Sequence, residues 1–500
     1  MNLRRILPAA ALTAGIALTA GAQTPAGGDE KTKPAVPVTG APVVPPVSTP
    51  PAPEANPDFK KAGEELGKGN VDKALEHLKA ACEKDKNLAP PKVILSQIYA
   101  QVANQGGSNA QQAAQAARIF LEQAAAEDPD HPDPILLSGA YALGESRLVD
   151  AMLCFETALA KSGSARWLTD QRKRFVKSSR EGLAQVYSNR RDFKQALEQL
   201  RALLADDPKN GKLRVQAANL TFLFGQPDAA FADLKQAFAD DPSVDLPEVM
   251  MARFWDSKPN KAAGEDAKAE EWFNKAIAAA PKDVKAPREF ARWLLNQNRL
   301  ADADAKLADA AKVDANDKET KALKGLSHRY KKEYKEAETI FDELNRADRT
   351  NPFYAWNLAI ILAESPEKSK QEQAVAIATL VQSSQPKSPE AVSVLAWCLF
   401  KAGRLDDAEK AIGIAAQASQ GNFPPDTIYY AARILEKKGK GKEARDNLQK
   451  ALDAKAPFVY RKDAEEFQKQ LIKDHGPVTK EEKKDDKKDE KKPEEPKKNP

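Results

Sequence analysis

The sequence predicts an all-α chain: a stack of antiparallel helix-turn-helix hairpins between two end segments that cannot build a core. Three observations predict it. First, a skeleton repeats. Leu183, Ala184, Tyr187, Phe193, Ala196, Leu200, Leu203 and Pro208 place two apolar faces at helical period around a short turn and end in a stop signal. The skeleton returns as Ala217, Ala218, Thr221, Ala230, Leu234, Ala237 and Pro242, with Ala218 and Pro242 each 34 residues after their counterparts. Second, Ala, Leu, Lys, Glu and Gln, all good helix formers, dominate residues 57–474. Third, that stretch shows almost no period-two alternation of the kind a half-buried strand needs. A fixed period marks an array in which each hairpin buries its apolar face only by stacking on its neighbours.

The elements follow in chain order. Residues 1–22 combine Arg4 and Arg5, an apolar run from Ile6 and small residues at Ala20 and Ala22, so a cleavable export signal cut after Ala22 is expected, with a periplasmic or extracellular destination. The run is shorter than the ~20 residues of a spanning helix, so no stable membrane insertion is expected after cleavage. No cysteine lies near the cut, which argues against a lipid anchor there. Residues 23–57 hold ten prolines and few large apolar side chains, so they are expected to be a disordered spacer. Residues 58–456 carry the array, about eleven units by the skeleton above. Three units are stretched in the loop between or beside their helices, at NQGGSN, SKPNKAAGED and SPEKSKQEQ. Residues 457–475 place Phe458, Ala464, Phe467 and Leu471 at helical spacing with charge opposite, as a helix covering the end of a stack should. Residues 476–500 hold nine lysines against eight acids, a charge-balanced composition expected to stay disordered.

Laid out at the 34-residue period, residues 58–456 resemble the tetratricopeptide repeat (TPR) family. Gly139, Ala151, Phe155 and Ala158 fit its pattern, as do Gly325, Tyr334, Ala337, Phe341 and Leu344, and again Leu395, Ala396, Leu399, Leu405, Ala408, Ile412 and Ala415. The resemblance implies a right-handed superhelical solenoid of antiparallel hairpins. It also implies that first helices line a concave face that receives a protein partner as an extended peptide or a helix. Carried over by repeat position, the residues on that face are Arg288, Arg292, Arg329, Tyr330, Trp356, Trp397, Phe400, Tyr429 and Arg433. Aromatic and arginine side chains are the types that anchor protein interfaces; the same rings could instead pack between adjacent first helices. In the family's best-known carboxylate clamp a lysine stands where this chain has Val215, although Asn219 occupies one clamp position, so chaperone-tail binding is not implied.

Charge and chemistry narrow the function. The chain has 77 basic against 73 acidic residues, a net +4 with no large single-sign field, so no nucleic-acid partner is expected. Arg166, Arg172, Lys173, Arg174, Lys177 and Arg180 crowd one connector, which reads as a solvated face. Cys82, Cys154 and Cys398 are odd in number and far apart, so they read as packing residues and not a disulfide framework. The four histidines form no HExxH or Cys/His pattern, and no phosphate loop or GxSxG is present. EDPDHPDP at 127–134 offers Asp128, Asp130, His131 and Asp133 but lacks the glycine and distal glutamate of a calcium loop, and reads as a stop and start signal. No catalytic residue, metal or cofactor is therefore expected. The expected function is a non-enzymatic protein-interaction scaffold of the bacterial envelope. The alternatives are an accessory subunit of an envelope enzyme or export machine, and a glycan-binding module that uses the same rings.

Overall fold

In a computed structural model, residues 56–478 are described, apart from 105–108, 260, 263, 387, 420–422 and 454–457. The expected signal segment (1–22) and nearly all of the proline-rich segment (23–57) and charged tail (476–500) lie outside the described residues. The described residues form helices and turns, with no strand among them. The chain divides into two compact units, residues 1–286 and 287–500.

Unit 1 contains α1 (Pro57–Gly67) and α2 (Val71–Lys84), α3 (Pro91–Asn104) and α4 (Ala110–Glu127), α5 (Pro132–Gly144) and α6 (Leu148–Ser162), α7 (Thr169–Asn189) and α8 (Phe193–Asp206), α9 (Gly211–Leu223) and α10 (Pro227–Asp240), and α11 (Pro247–Ser257) and α12 (Asp266–Ala279). Nearly all of α13 (Lys285–Asn296) belongs to unit 2, followed by α14 (Leu300–Val313), α15 (Lys318–Tyr330) and α16 (Tyr334–Ala347), α17 (Pro352–Ala363) and α18 (Lys368–Ser384), α19 (Pro389–Lys401) and α20 (Leu405–Ala418), α21 (Pro425–Lys437) and α22 (Gly441–Asp453), and the single α23 (Arg461–His475). Within each unit a second helix packs on its own first helix and on the first helix of the next hairpin. Neighbouring first helices also touch, α3 with α5 and α5 with α7 in unit 1, and α15 with α17, α17 with α19 and α19 with α21 in unit 2.

The local sequence explains where helices begin and turn. Proline stands at the start of α1, α5, α10, α11, α17, α19 and α21, where its missing N–H and fixed φ cost nothing. Asn56, Asn210, Asp317, Asn351 and Ser388 cap first helices by accepting a backbone N–H. The turn inside a hairpin closes with an N–H reaching five residues back, as from Arg404 to the Leu399 carbonyl (2.9 Å) and from Glu333 to that of His328 (2.9 Å). That closure needs a left-handed residue. Gly403 supplies it at φ 82°, and Lys332 accepts the same conformation at φ 62°.

Packing follows a volume rule. Ala151, Ala196, Ala230, Ala303, Ala337, Ala408 and Ala444 hold the same place in seven second helices and are all fully buried, because helix axes approach too closely there for a larger side chain. A second pair of positions, 16 residues apart in sequence, trades size. Where the second helix carries Phe155 or Phe341 the first helix carries Gly139 or Gly325; where it carries Leu200, Leu234, Leu307, Ile412 or Leu448 the first helix carries Ala184, Ala218, Ala291, Ala396 or Ala432. A Cβ on Gly325 would lie 2.7 Å from the Phe341 ring, and one on Gly139 3.0 Å from that of Phe155. The glycine is the space that the ring occupies.

The acid-rich string at 127–134 has structural work. Asp128 pairs with Arg166, Asp130 with Lys161, and Asp133 takes two bonds from Arg174 at 2.6 and 2.9 Å. His131 Nδ1 accepts the Asp133 N–H at 3.2 Å, and its ring meets Trp167 and Phe175 edge-on. The basic connector is thereby partly neutralised, with Arg180 bonded to Gln199 as well. All three cysteines are free thiols, and burial pushes Cys82 up to about 11. No described helix is long and apolar enough to cross a membrane.

Candidate functional site

The first-helix layer of unit 2 holds every one of the nine residues placed on the inner face, and it treats them differently. Arg288 is buried, with its guanidinium on Asp317 (3.2 Å) and Glu319 (2.7 Å). Arg292, half-buried, turns back along its own helix to Glu289 at 3.2 Å. These two arginines belong to an ion-pair network inside the protein.

Further along, Arg329 is buried and donates through Nη1 to Asn357 Oδ1 (2.5 Å), whose Nδ2 donates to the Phe353 carbonyl at 2.8 Å. Its Nε is buried without a hydrogen-bond partner. Tyr330 lies beside it, the guanidinium 5.4 Å from the ring centre. Trp356 is half-buried and meets Phe353 edge-on.

The rings on α19 and α21 converge. Trp397 is only 3% exposed, because Tyr430 stacks on it at 4.4 Å and Phe400 at 5.3 Å. Tyr429 stacks in turn on Tyr460 at 4.9 Å with 11° between planes. Arg433, half-buried, lies 4.5 Å from the ring of Phe467 on α23. Of the nine residues, Arg288, Arg329, Trp397 and Tyr429 are thus buried within the folded chain, and Trp397, Phe400 and Tyr429 are brought into one cluster.

Four further residues organise that cluster: Glu364, Asp426, Tyr430 and Tyr460. Glu364 follows the last turn of α17 and is almost buried. Its Oε1 accepts the Trp397 indole N–H (2.8 Å) and the Tyr460 hydroxyl (3.0 Å), and its Oε2 pairs with Lys401 Nζ (2.8 Å). Asp426 opens α21 and accepts the Val459 N–H at 3.0 Å. Burial drives the phenols of Tyr330, Tyr430 and Tyr460 upward from their usual value, so these rings are neutral donors. A glutamate at a helix end and an aspartate beside a proline read in sequence as ordinary caps. The only local signal was the doubled Tyr429-Tyr430.

Tyr460 adds the cover over Tyr429. Residues 458–460 precede α23 as a non-helical segment that runs over the first-helix layer. Tyr460 reaches Glu364 96 residues earlier, and the Asp463 carboxylate takes Lys332 Nζ at 2.6 and 2.7 Å across 131 residues. The inner face of unit 2 therefore holds a stretch of polypeptide by aromatic stacking, a buried carboxylate acceptor, one backbone bond and an ion pair. Among the described residues no group of three or more His, Cys, Asp or Glu is placed to hold a metal ion.

Asp426 makes this contact sensitive to pH. Burial raises its carboxyl to about 6, against the opposing pull of Arg329 and the backbone N–H groups of Val459 and Tyr460. Arg329, Tyr330, Tyr430 and Tyr460 are the charged and titratable groups around it. An unfolded aspartate titrates near ~3.9, so between about 4 and about 6 the folded chain keeps a proton that the unfolded chain releases. Stability from this group is therefore greatest below that window and falls as pH rises through it, by on the order of 2–3 kcal/mol. Denaturation followed by tryptophan fluorescence at pH 4.5 and 7.5 should show about 2 kcal/mol of this difference in the wild type relative to Asp426→Asn, which keeps the acceptor for Val459. Identical pH profiles for the two chains would refute it.

Residues 367–451 match the family model described as anaphase-promoting complex, cyclosome, subunit 3. Among solved structures, YrrB, a TPR protein with an unusual peptide-binding site, is 25% identical over 36% of this chain and 91% of its own, with a TM-score of 0.26. A tetratricopeptide repeat protein from Parabacteroides merdae is 14% identical over 53% of this chain and 99% of its own, with a TM-score of 0.39. Yeast Tom70 is 14% identical over 84% of this chain and 96% of its own, with a TM-score of 0.35. No curated protein matches the chain.

Proposed function

We propose that this chain is a non-enzymatic protein-interaction scaffold that receives a partner peptide or helix on the first-helix face of unit 2, and that it works outside the cytoplasm of a bacterium. The observation that carries the reading is the seating of Phe458–Asp463 on that face. Polypeptide is what the face holds, by ring stacking and a buried acceptor. Export rests on the composition of residues 1–22 alone.

A glycan-binding module is the weaker reading. Sugar stacking needs an open ring face, and Trp397 has Tyr430 on it at 4.4 Å and Phe400 at 5.3 Å. An accessory subunit of an envelope machine differs from a free scaffold only in the permanence of its partner.

In-cell photocrosslinking tests the proposal, with a photoreactive residue at Trp356 or Phe400 and, as control, at Lys410 on the second-helix side. One protein adduct from the first-helix positions alone is the expected result. Equal labelling from all three positions, or none, would count against this face as the working surface.

A further inference from the structure

Resting on that reading, we infer that residues 458–463 are a built-in competitor of the partner, and that the partner presents the same chemistry: two aromatic side chains two residues apart, then a carboxylate three residues on. The order is Phe458, Tyr460, Asp463.

Each feature of the segment has a reader on the array. Phe458 lies 6.2 Å from the Tyr429 ring, edge-on. Tyr460 stacks on Tyr429 and sits 5.7 Å from both Trp397 and Tyr430, while its hydroxyl donates to Glu364. That hydroxyl bond selects tyrosine over phenylalanine, because phenylalanine would forfeit one of the two charge-assisted donors to the Glu364 Oε1, leaving it the Trp397 N–H alone. Asp463 meets Lys332, and the Val459 N–H meets Asp426.

The contacts are graded in a way that suits exchange. The outer ion pair is well exposed, at 40% for Lys332 and 38% for Asp463, so water and salt can replace it. The inner contacts are buried and carry selectivity. The segment is also tethered next to its site: α23 follows directly, held by Arg433 on Phe467 and by Arg445 Nη1 donating to the carbonyls of His475 and Gly476 at 2.8 Å each. Tethering gives it a high effective concentration, so a free peptide of equal quality competes poorly until the segment is released.

The test uses the full chain and a fluorescent peptide with the sequence of residues 457–467, PFVYRKDAEEF. In the double variant Tyr460→Ala, Asp463→Lys the face is vacated, and the peptide should bind at least ~10-fold more tightly than to the wild type. Adding Glu364→Gln should leave that binding largely in place, and a peptide with phenylalanine at the Tyr460 position should bind ~10-fold more weakly. The single variant Asp463→Lys, which breaks only the exposed pair of the segment and leaves Lys332 to the peptide, should give an intermediate gain with unchanged helix content; this variant carries the test should the double variant not fold. Equal binding to the wild type and the vacated chain, or none to either variant, would overturn the inference. Dimerisation of the vacated chain without peptide would overturn it too, since a second copy would then be the occupant. Crosslinks from Trp356 that are equally strong with and without the segment would retain the scaffold and reject the competitor. Absence of crosslinks in both would reject the scaffold itself.

Discussion

Phe341→Ala is expected to destabilise unit 2 by about 3–5 kcal/mol, the cost of removing a fully buried ring and leaving its cavity. The same site gives a sharper test in the opposite direction. Gly325→Ala would raise stability by about 1 kcal/mol if only helix propensity mattered. Here its Cβ would sit 2.7 Å from the Phe341 ring and 3.1 Å from Ile340 Cγ2, so a loss of about 1–3 kcal/mol is expected instead. Combining Gly325→Ala with Phe341→Leu recreates the Ala and Leu pair that Ala218 and Leu234 already use. The double variant should therefore be more stable than the sum of the single losses by about 0.5–3 kcal/mol. Urea denaturation of the wild type, the two single variants Gly325→Ala and Phe341→Leu and the double variant measures the coupling, and simple additivity would show that the size trade within a hairpin has no energetic content.

Glu364→Ala should cost about 3–5 kcal/mol and release residues 458–475 from the array. The loss strands three donors at once, the Trp397 N–H, the Tyr460 hydroxyl and the Lys401 ammonium, two of them on buried residues. Glu364→Gln keeps an acceptor for the two neutral donors and gives up only the pair with half-exposed Lys401, so its cost should stay near about 1 kcal/mol. Hydrogen exchange separates the outcomes. Amides of α23 should lose protection in the alanine variant while those of α17 and α18 keep theirs, as expected when contacts are local and stability is a sum over neighbours. Uniform loss throughout unit 2 would mean that Glu364 holds the stack and not the segment.

How much of this was legible follows from the range of the contacts. The hairpins could be read because each is closed within one repeat. Ala196 meets its neighbours at the same offset as Ala230 and Ala408, and a periodic demand leaves a periodic trace. The Gly325 and Phe341 trade recurs at a constant 16 residues as well, but only the close approach of the Gly325 Cβ position to the Phe341 ring shows what it is for. The acid and proline strings read correctly as turns, since Asp128, Asp130 and Asp133 pair with Arg166, Lys161 and Arg174.

The candidate site behaved differently. Repeat position assigned Trp397, Tyr429 and Arg329 to the first-helix layer, and they are in it. Repeat position left open whether the rings would meet a partner or pack between first helices; Trp397 packs on Tyr430 and Phe400 within the array, while the cover over Tyr429 comes from Tyr460, outside the repeat. Tyr460 finds Glu364 at 96 residues and Asp463 finds Lys332 at 131, each contact made once and with no periodic copy. Sequence by itself thus determined the hairpin, its period and the small residues at each helix crossing, since those are local steric demands repeated along the chain. Tertiary structure alone decided which face of unit 2 is occupied and by what, because a single long-range docking leaves no pattern and depends on the shape that the stacked hairpins first create.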